Sequence, residues 1–169
     1  MANDFNENNP VTRMATKKKQ TLFFQDSGRI PPQAVDFEEA VLGAVMLEKN
    51  AVNDVIDVLH AESFYKDAHQ KIYAVVHHLF GHSQPIDILT VTQELRNRGE
   101  LEYVGGAYYI SQLTNRIASA ANVEHHARII AQKHIQRELI RISSETIKLA
   151  YDESTDVFDL LDKAESSLF

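Results

Sequence analysis

A double glycine, Gly105–Gly106, precedes a segment with helical spacing, and a glycine-rich turn at a helix N-terminus can hold a phosphate group. A Walker-type loop requires the spacing G-x-x-x-x-G-K-[ST], and a dinucleotide-binding turn requires G-x-G-x-x-G. The six glycines of the chain form neither pattern. We therefore predict that the pair turns the chain at positive φ, and that Tyr108 and Leu113 of the following helix pack inward.

Eight histidines invite the hypothesis of a metal site. His78 and His82 are one helical turn apart, a spacing that can place two imidazoles on one face. Gly81, however, is predicted to end that helix, and no neighbouring carboxylate completes a ligand set. We predict no metal site and interpret the histidines as ordinary surface or half-buried residues. The enzyme alternative, a small helical hydrolase with a metal at the histidines, would show metal-dependent stabilisation.

Other residue types that support catalysis are present without a catalytic pattern. Asp36, Glu38 and Glu39 follow Pro31–Pro32 in the first turn of a helix, where the helix dipole alone explains acidic residues. The serines have no placed His and Asp companions, and no G-x-S-x-G motif occurs. The sequence therefore predicts no catalytic residue and no cofactor-binding residue.

Composition and charge favour protein partners over nucleic acid. Residues 1–30 carry five Lys/Arg against three Asp/Glu, which leaves 12 against 21 in the rest of the chain. An acidic body is a poor surface for gripping phosphates. The chain has no cysteine and no apolar run of the roughly 18 to 20 residues that would span a bilayer. We expect a cytoplasmic protein without membrane contact.

Prolines and glycines separate a series of helical patterns. One helix follows Pro31–Pro32, and a short second helix is predicted over residues 50–59. A third pattern ends at Gly81, and a fourth begins with Asp87 or Thr90 as its N-cap. No segment shows sustained strand alternation, so the sequence predicts an all-α fold.

The last third of the chain predicts a helical hairpin. From residue 119 to about residue 151 there is neither Gly nor Pro, so one helix of roughly 50 Å is expected, longer than the roughly 40 Å diameter of a globule of this size. The linker DESTD and a final amphipathic segment follow. We predict a flexible polar tail (1–30), a compact multi-helix head (31–118) and a projecting antiparallel hairpin (119–169).

The long helix carries more apolar surface than one short partner helix can cover. A leftover aliphatic face of this kind typically marks a protein interface, so we predict self-association through the hairpin. Some of its residues would pair subunits and others would be covered within the hairpin, and the sequence does not separate the two groups. These residues are Ile129, Ile135, Leu139, Ile142 and Leu149 on the long helix and Val157, Leu161 and Leu168 on the last one.

Four segments in this order resemble a known family. They are IPPQAVDFEEAVLGAVMLEKNAV, SFYKDAHQKIY, QPIDILTVTQELRNRGELEYVGGAYYISQL and SAANVEHHARIIAQKHIQRELI. Together they resemble the N-terminal domain of the bacterial DnaB-type replicative DNA helicase. The resemblance runs from about residue 30 onward and leaves the N-terminal tail uncovered.

The resemblance implies an assembly and docking role in DNA replication. In that family the hairpins pair N-terminal domains, dimers build a hexameric collar, and the collar docks primase and, in some bacteria, a helicase loader. ATP and Mg would bind only a motor domain that this chain lacks, so we expect no ATPase activity here and contact with DNA only through the full-length protein. A free-standing helical adaptor without a motor domain is the alternative.

Overall fold

A computed structural model describes residues 28–115 and 120–168, the side chain of Leu168 excepted. Within these ranges every regular element is a helix, which confirms the all-α prediction. Nearly all of the predicted tail and the predicted head–hairpin boundary at 118/119 lie outside the described residues. The elements are α1 (Val35–Leu47), a 3-10 turn (Ala61–Ser63), α2 (Asp67–Gly81), α3 (Ile88–Asn97), α4 (Gly106–Asn115), α5 (Val123–Ala150) and α6 (Val157–Leu168).

Asp87, one of the two predicted N-cap residues, sets the start of α3. Its carboxylate accepts hydrogen bonds from the backbone N–H groups of Leu89 at 2.8 Å and Thr90 at 2.9 Å. The Thr90 hydroxyl in turn accepts from the backbone N–H of Asp87 at 2.9 Å. This reciprocal capping box satisfies donors that have no partner within the helix.

The double glycine turns the chain, which confirms the turn interpretation. Gly105 and Gly106 have φ values of +108° and +72°, a region that other residues rarely adopt. A Cβ at Gly105 would also lie 2.9 Å from the Cβ of Tyr109. In α4, which follows, Leu113 is buried as predicted but Tyr108 is exposed. The inward prediction for Tyr108 is wrong because the buried face of α4 is rotated by about one residue.

Residues 51–58 form turns instead of the predicted second helix. Their backbone hydrogen bonds alternate between three- and four-residue spacing, as in the bonds from Val55 and Ile56 to the carbonyl of Val52. So short a segment is marginal as a helix. The turns nevertheless bury Val55 and Leu59 completely, so the apolar pattern identified the core residues and not the backbone conformation.

The chain divides into two compact units. The first spans Pro32–Gln136, and the described part of the second is mainly residues 137–168. Buried apolar side chains of α1 to α4 and of the start of α5 form the core of the first unit. At its centre Tyr73 packs against Phe64 at a ring-centroid distance of 4.8 Å.

Burial gives the Tyr73 phenol an altered acidity. Its hydroxyl donates to the Val55 carbonyl at 3.4 Å. Burial, and to a smaller extent the Asp57 carboxylate, raises the pKa of Tyr73 well above its ordinary value.

Among the helices that the structure describes, none combines the length and apolar character needed to cross a membrane.

Candidate interaction surface

Two aspartates build the turn of the C-terminal hairpin. Asp152 accepts from the backbone N–H of Ser154 at 3.0 Å and from its hydroxyl at 2.7 Å. The Ser154 hydroxyl, followed by its N–H group, lowers the pKa of Asp152. Asp156 then caps α6 by accepting from the N–H groups of Phe158 at 2.8 Å and Asp159 at 3.2 Å. The polar linker thus ends one helix and starts the next.

The inner side of the hairpin joins the end of α5 to α6. Lys163 donates to Glu145 at 3.1 Å, and Arg141 lies 3.3 Å from the same carboxylate. The hydrogen bond from Lys163, with its positive charge next in importance, lowers the pKa of Glu145. A narrow groove beside this ion pair is lined by the half-buried Ile142 and Leu149. These two side chains face α6, so α6 folds back along α5 in antiparallel orientation.

The outer side of the hairpin is apolar and exposed. On α6, Val157, Phe158 and Leu161 are all solvent-exposed, with Phe158 at 74% of its full exposure. On the second-unit part of α5, Leu139 and Ile147 are also exposed, Ile147 at 59%. Exposed large apolar side chains are typical of protein interfaces. We name these five residues the outer hairpin surface.

The structure shows which of the predicted residues are covered within the hairpin and which are exposed. Ile142 and Leu149 lie inside the hairpin, whereas Leu139, Val157 and Leu161 lie on the outer hairpin surface. The remaining predicted residues have other positions. In the first unit Ile129 is half-buried and Ile135 is exposed, and the side chain of Leu168 lies outside the described residues.

Sequence reasoning missed Phe158, the most exposed member of the outer hairpin surface. The apolar residues predicted from the sequence on this helix are Val157, Leu161 and Leu168. In the structure Leu160 and Ala164 are the half-buried apolar residues of α6. The inner face is therefore rotated by about one position toward Leu160, which leaves Val157 and Leu161 beside Phe158 on the outside.

A buried polar cluster in the first unit was also missed. Glu38 and His69 are almost completely buried, and His69 Nδ1 lies 2.7 Å from Glu38 Oε2. Glu38 Oε1 accepts from the backbone N–H of Tyr65 at 2.6 Å, just before α2 begins. The interpretation of Glu38 as a helix-dipole residue is therefore incomplete, because its carboxylate joins α1 to α2. The only sign of this cluster in the sequence is an acidic residue at an inward-facing helical position.

On its other side this cluster reaches the half-buried Tyr109 of α4. The Tyr109 hydroxyl lies 2.7 Å from His69 Nε2 and 3.4 Å from Glu39 Oε1. The ring planes of His69 and Tyr109 are within 6° of each other. The cluster therefore connects three helices through side-chain hydrogen bonds and contains no nucleophile of the serine or cysteine type.

Two further histidines, His78 and His82, lie side by side at the end of α2. His78 and His82 lie with ring centroids 4.2 Å apart, and His82 Nδ1 is 2.8 Å from the His78 carbonyl oxygen. Among the residues that the structure describes, no group of three His, Cys, Asp or Glu side chains is arranged to hold a metal ion.

Over the residues that the structure describes, the chain is an all-helical domain whose hairpin exposes large apolar side chains, a feature typical of protein interfaces. Residues 30–132 match the family model of the DnaB-like helicase N-terminal domain, and the chain belongs to that family. It is 48% identical to the replicative DNA helicase DnaB of Rhodothermus marinus over 154 residues, which is 91% of this chain and 16% of that protein.

Two further proteins of the same family are similar to this chain. The replicative DNA helicase DnaC of Bacillus subtilis is 40% identical over 140 residues, 83% of this chain and 31% of that protein. The crystal structure of the N-terminal domain of DnaB helicase from Mycobacterium tuberculosis superposes with a TM-score of 0.78 at 35% identity, covering 82% of this chain and 98% of that one. The chain thus spans less than a third of the length of these two full-length helicases.

Proposed function

We propose that this chain is the N-terminal assembly and partner-docking domain of a replicative DNA helicase, acting in the cytoplasm. In this proposal its hairpin pairs subunits within a hexameric collar, and the collar receives primase or a helicase loader. ATP hydrolysis and DNA unwinding would be performed by other parts of the helicase. Family membership supports the replicative context, and the outer hairpin surface supports the pairing.

The outer hairpin surface is the observation that carries the pairing proposal. Phe158, Leu161 and Val157 are exposed on α6, and Leu139 and Ile147 are exposed on α5. The hairpin itself does not cover these side chains, so a second copy of the same surface would remove them from water. Apolar burial of this kind drives most stable association between subunits.

The pairing is tested by placing a charge on this surface. Leu139→Asp should shift the chain toward the monomer, because burying an unpaired carboxylate in an interface is costly. Light scattering over a range of concentrations measures the mass. Leu89→Asp is the control, since Leu89 is a solvent-exposed leucine on α3 of the first unit. A mass unchanged by Leu139→Asp would contradict pairing through the hairpin.

Primase docking requires a separate experiment. Calorimetric titration with the C-terminal domain of the primase from the same organism should give saturable binding that weakens as salt is raised, because the body of this chain is acidic. The oligomeric mass of each component is recorded in parallel. Absence of heat with a folded, self-associated chain would remove primase docking and leave the pairing proposal standing.

A further inference from the structure

One nitrogen of the His69 imidazole, Nδ1, acts as a hydrogen-bond donor. This nitrogen faces the carboxylate of Glu38, which accepts from the backbone N–H groups of Tyr65 at 2.6 Å and Lys66 at 3.4 Å. These amides precede the first turn of α2, where the helix N-terminus favours a negative charge. An ionised carboxylate only accepts hydrogen bonds. His69 Nδ1, 2.7 Å from it, must therefore carry a hydrogen.

The opposite side of the ring can act in two ways. When His69 is neutral, its Nε2 atom has a lone pair and accepts the hydroxyl hydrogen of Tyr109 across 2.7 Å. When His69 is protonated, Nε2 becomes a donor to the same hydroxyl oxygen. The single hydroxyl hydrogen of Tyr109 is then directed elsewhere, and Glu39 Oε1 lies 3.4 Å away.

We propose that His69 and Tyr109 form a proton-driven hydroxyl switch. Uptake of one proton from solvent at His69 Nε2 turns the Tyr109 hydroxyl from His69 toward Glu39, and release of that proton turns it back. No heavy atom needs to move. Each side chain in the hydrogen-bonded series Glu38–His69–Tyr109–Glu39 has a partner in both states. This inference does not depend on the proposed function.

Through this switch, the protonation of the buried His69 affects an ion pair at the surface of the first unit. His69 is fully buried, whereas Glu39 is half-buried and pairs with the exposed Lys66 at 3.5 Å. Among the described residues, the charged groups that these contacts place at the switch are Glu38 and Glu39 from α1 and Lys66 from the segment before α2. A hydroxyl hydrogen directed at Glu39 competes with Lys66 for that carboxylate, so the surface ion pair responds to the protonation of His69.

Nuclear magnetic resonance of the whole chain tests the switch. Three signals are followed against pH: the ring ¹⁵N atoms of His69, the Cζ of Tyr109 and the side-chain carboxyl ¹³C of Glu39. At high pH the hydrogen of His69 should be on Nδ1, and on acidification all three signals should step at one shared midpoint. The opposite tautomer at high pH would overturn the proposal, and so would a His69 that does not titrate while the chain is folded.

Substitution of Tyr109 shows whether the coupling passes through its hydroxyl. In Tyr109→Phe the step of Glu39 at the His69 midpoint should be lost, while Glu39 keeps the step of its own protonation. Tyr108→Phe is the control, because Tyr108 is exposed on the same helix and its hydroxyl accepts from Gln112 instead. Persistence of the coupled step in Tyr109→Phe would show a through-space charge effect and would overturn the hydroxyl switch.

Discussion

Replacing Phe158 tests the outer hairpin surface more sharply than a charge does, because the size of the effect follows from the structure. A phenylalanine side chain buries roughly 200 Å² when fully covered. Phe158 is 74% exposed, so a partner has roughly 150 Å² left to cover, worth roughly 3–4 kcal/mol at about 25 cal/mol per Å². Alanine retains part of this area. Because pairing with a second copy buries one Phe158 from each chain, the loss counts twice, and we expect Phe158→Ala to weaken self-association about 1000-fold or more.

Sedimentation equilibrium over a wide concentration range gives the dissociation constants for this test. Leu89→Ala is the matched control, since Leu89 is 79% exposed on the first unit and should leave association unchanged. Both substitutions remove exposed side chains, so the free energy of unfolding of each monomer should stay within about 0.5 kcal/mol of the parent value. Thermal unfolding measures it. Equal dissociation constants for Phe158→Ala and the parent chain would refute the assignment of this surface.

Three further predictions concern stability and titration. Gly105→Ala should lower the free energy of unfolding in urea by more than about 1 kcal/mol, because φ is positive and the new Cβ meets a tyrosine side chain; Gly99→Ala, at positive φ in open space, should cost less. Glu38→Gln should cost about 2–3 kcal/mol in the same assay, since a buried amide turns a donor toward other donors. The lowered pKa of Glu145 means that its stabilising contribution is complete above its ordinary value and is lost as pH falls through the lowered one. In Lys163→Met, ¹³C titration should find the pKa of Glu145 higher than in the parent.

Local signals explain the parts of the fold that could be predicted. The Asp87 cap, the Gly105–Gly106 turn and the linker before α6 each depend on residues within a few positions of one another. In such cases the chemistry of a side chain and its nearest backbone groups decides the conformation. Helical spacing also identified Val55 and Leu59 as apolar residues of one face, although turns and not a helix bury them.

Long-range contacts explain what the sequence did not reveal. Glu38 bonds to a histidine 31 positions away, and its inward position on α1 does not by itself reveal that partner. The inner face of α6 was misjudged for a related reason. Leu160 and Leu161 both fit a helical stripe, and only the contact with α5 decides which of them turns inward.

The ultraviolet absorbance of the buried Tyr73 phenol can also be used to follow the unfolding of the first unit. The chain has no tryptophan, so indole fluorescence cannot follow its unfolding. Because the pKa of Tyr73 is raised in the folded state, its contribution to stability is complete below the ordinary tyrosine value of about 10 and is lost as pH rises above it. Above that value the absorbance of its phenolate should appear only as the core opens. In strong alkali, a stopped-flow trace should show the Tyr73 phenolate appearing after the phenolates of the exposed tyrosines, and that delay would time the opening of the core.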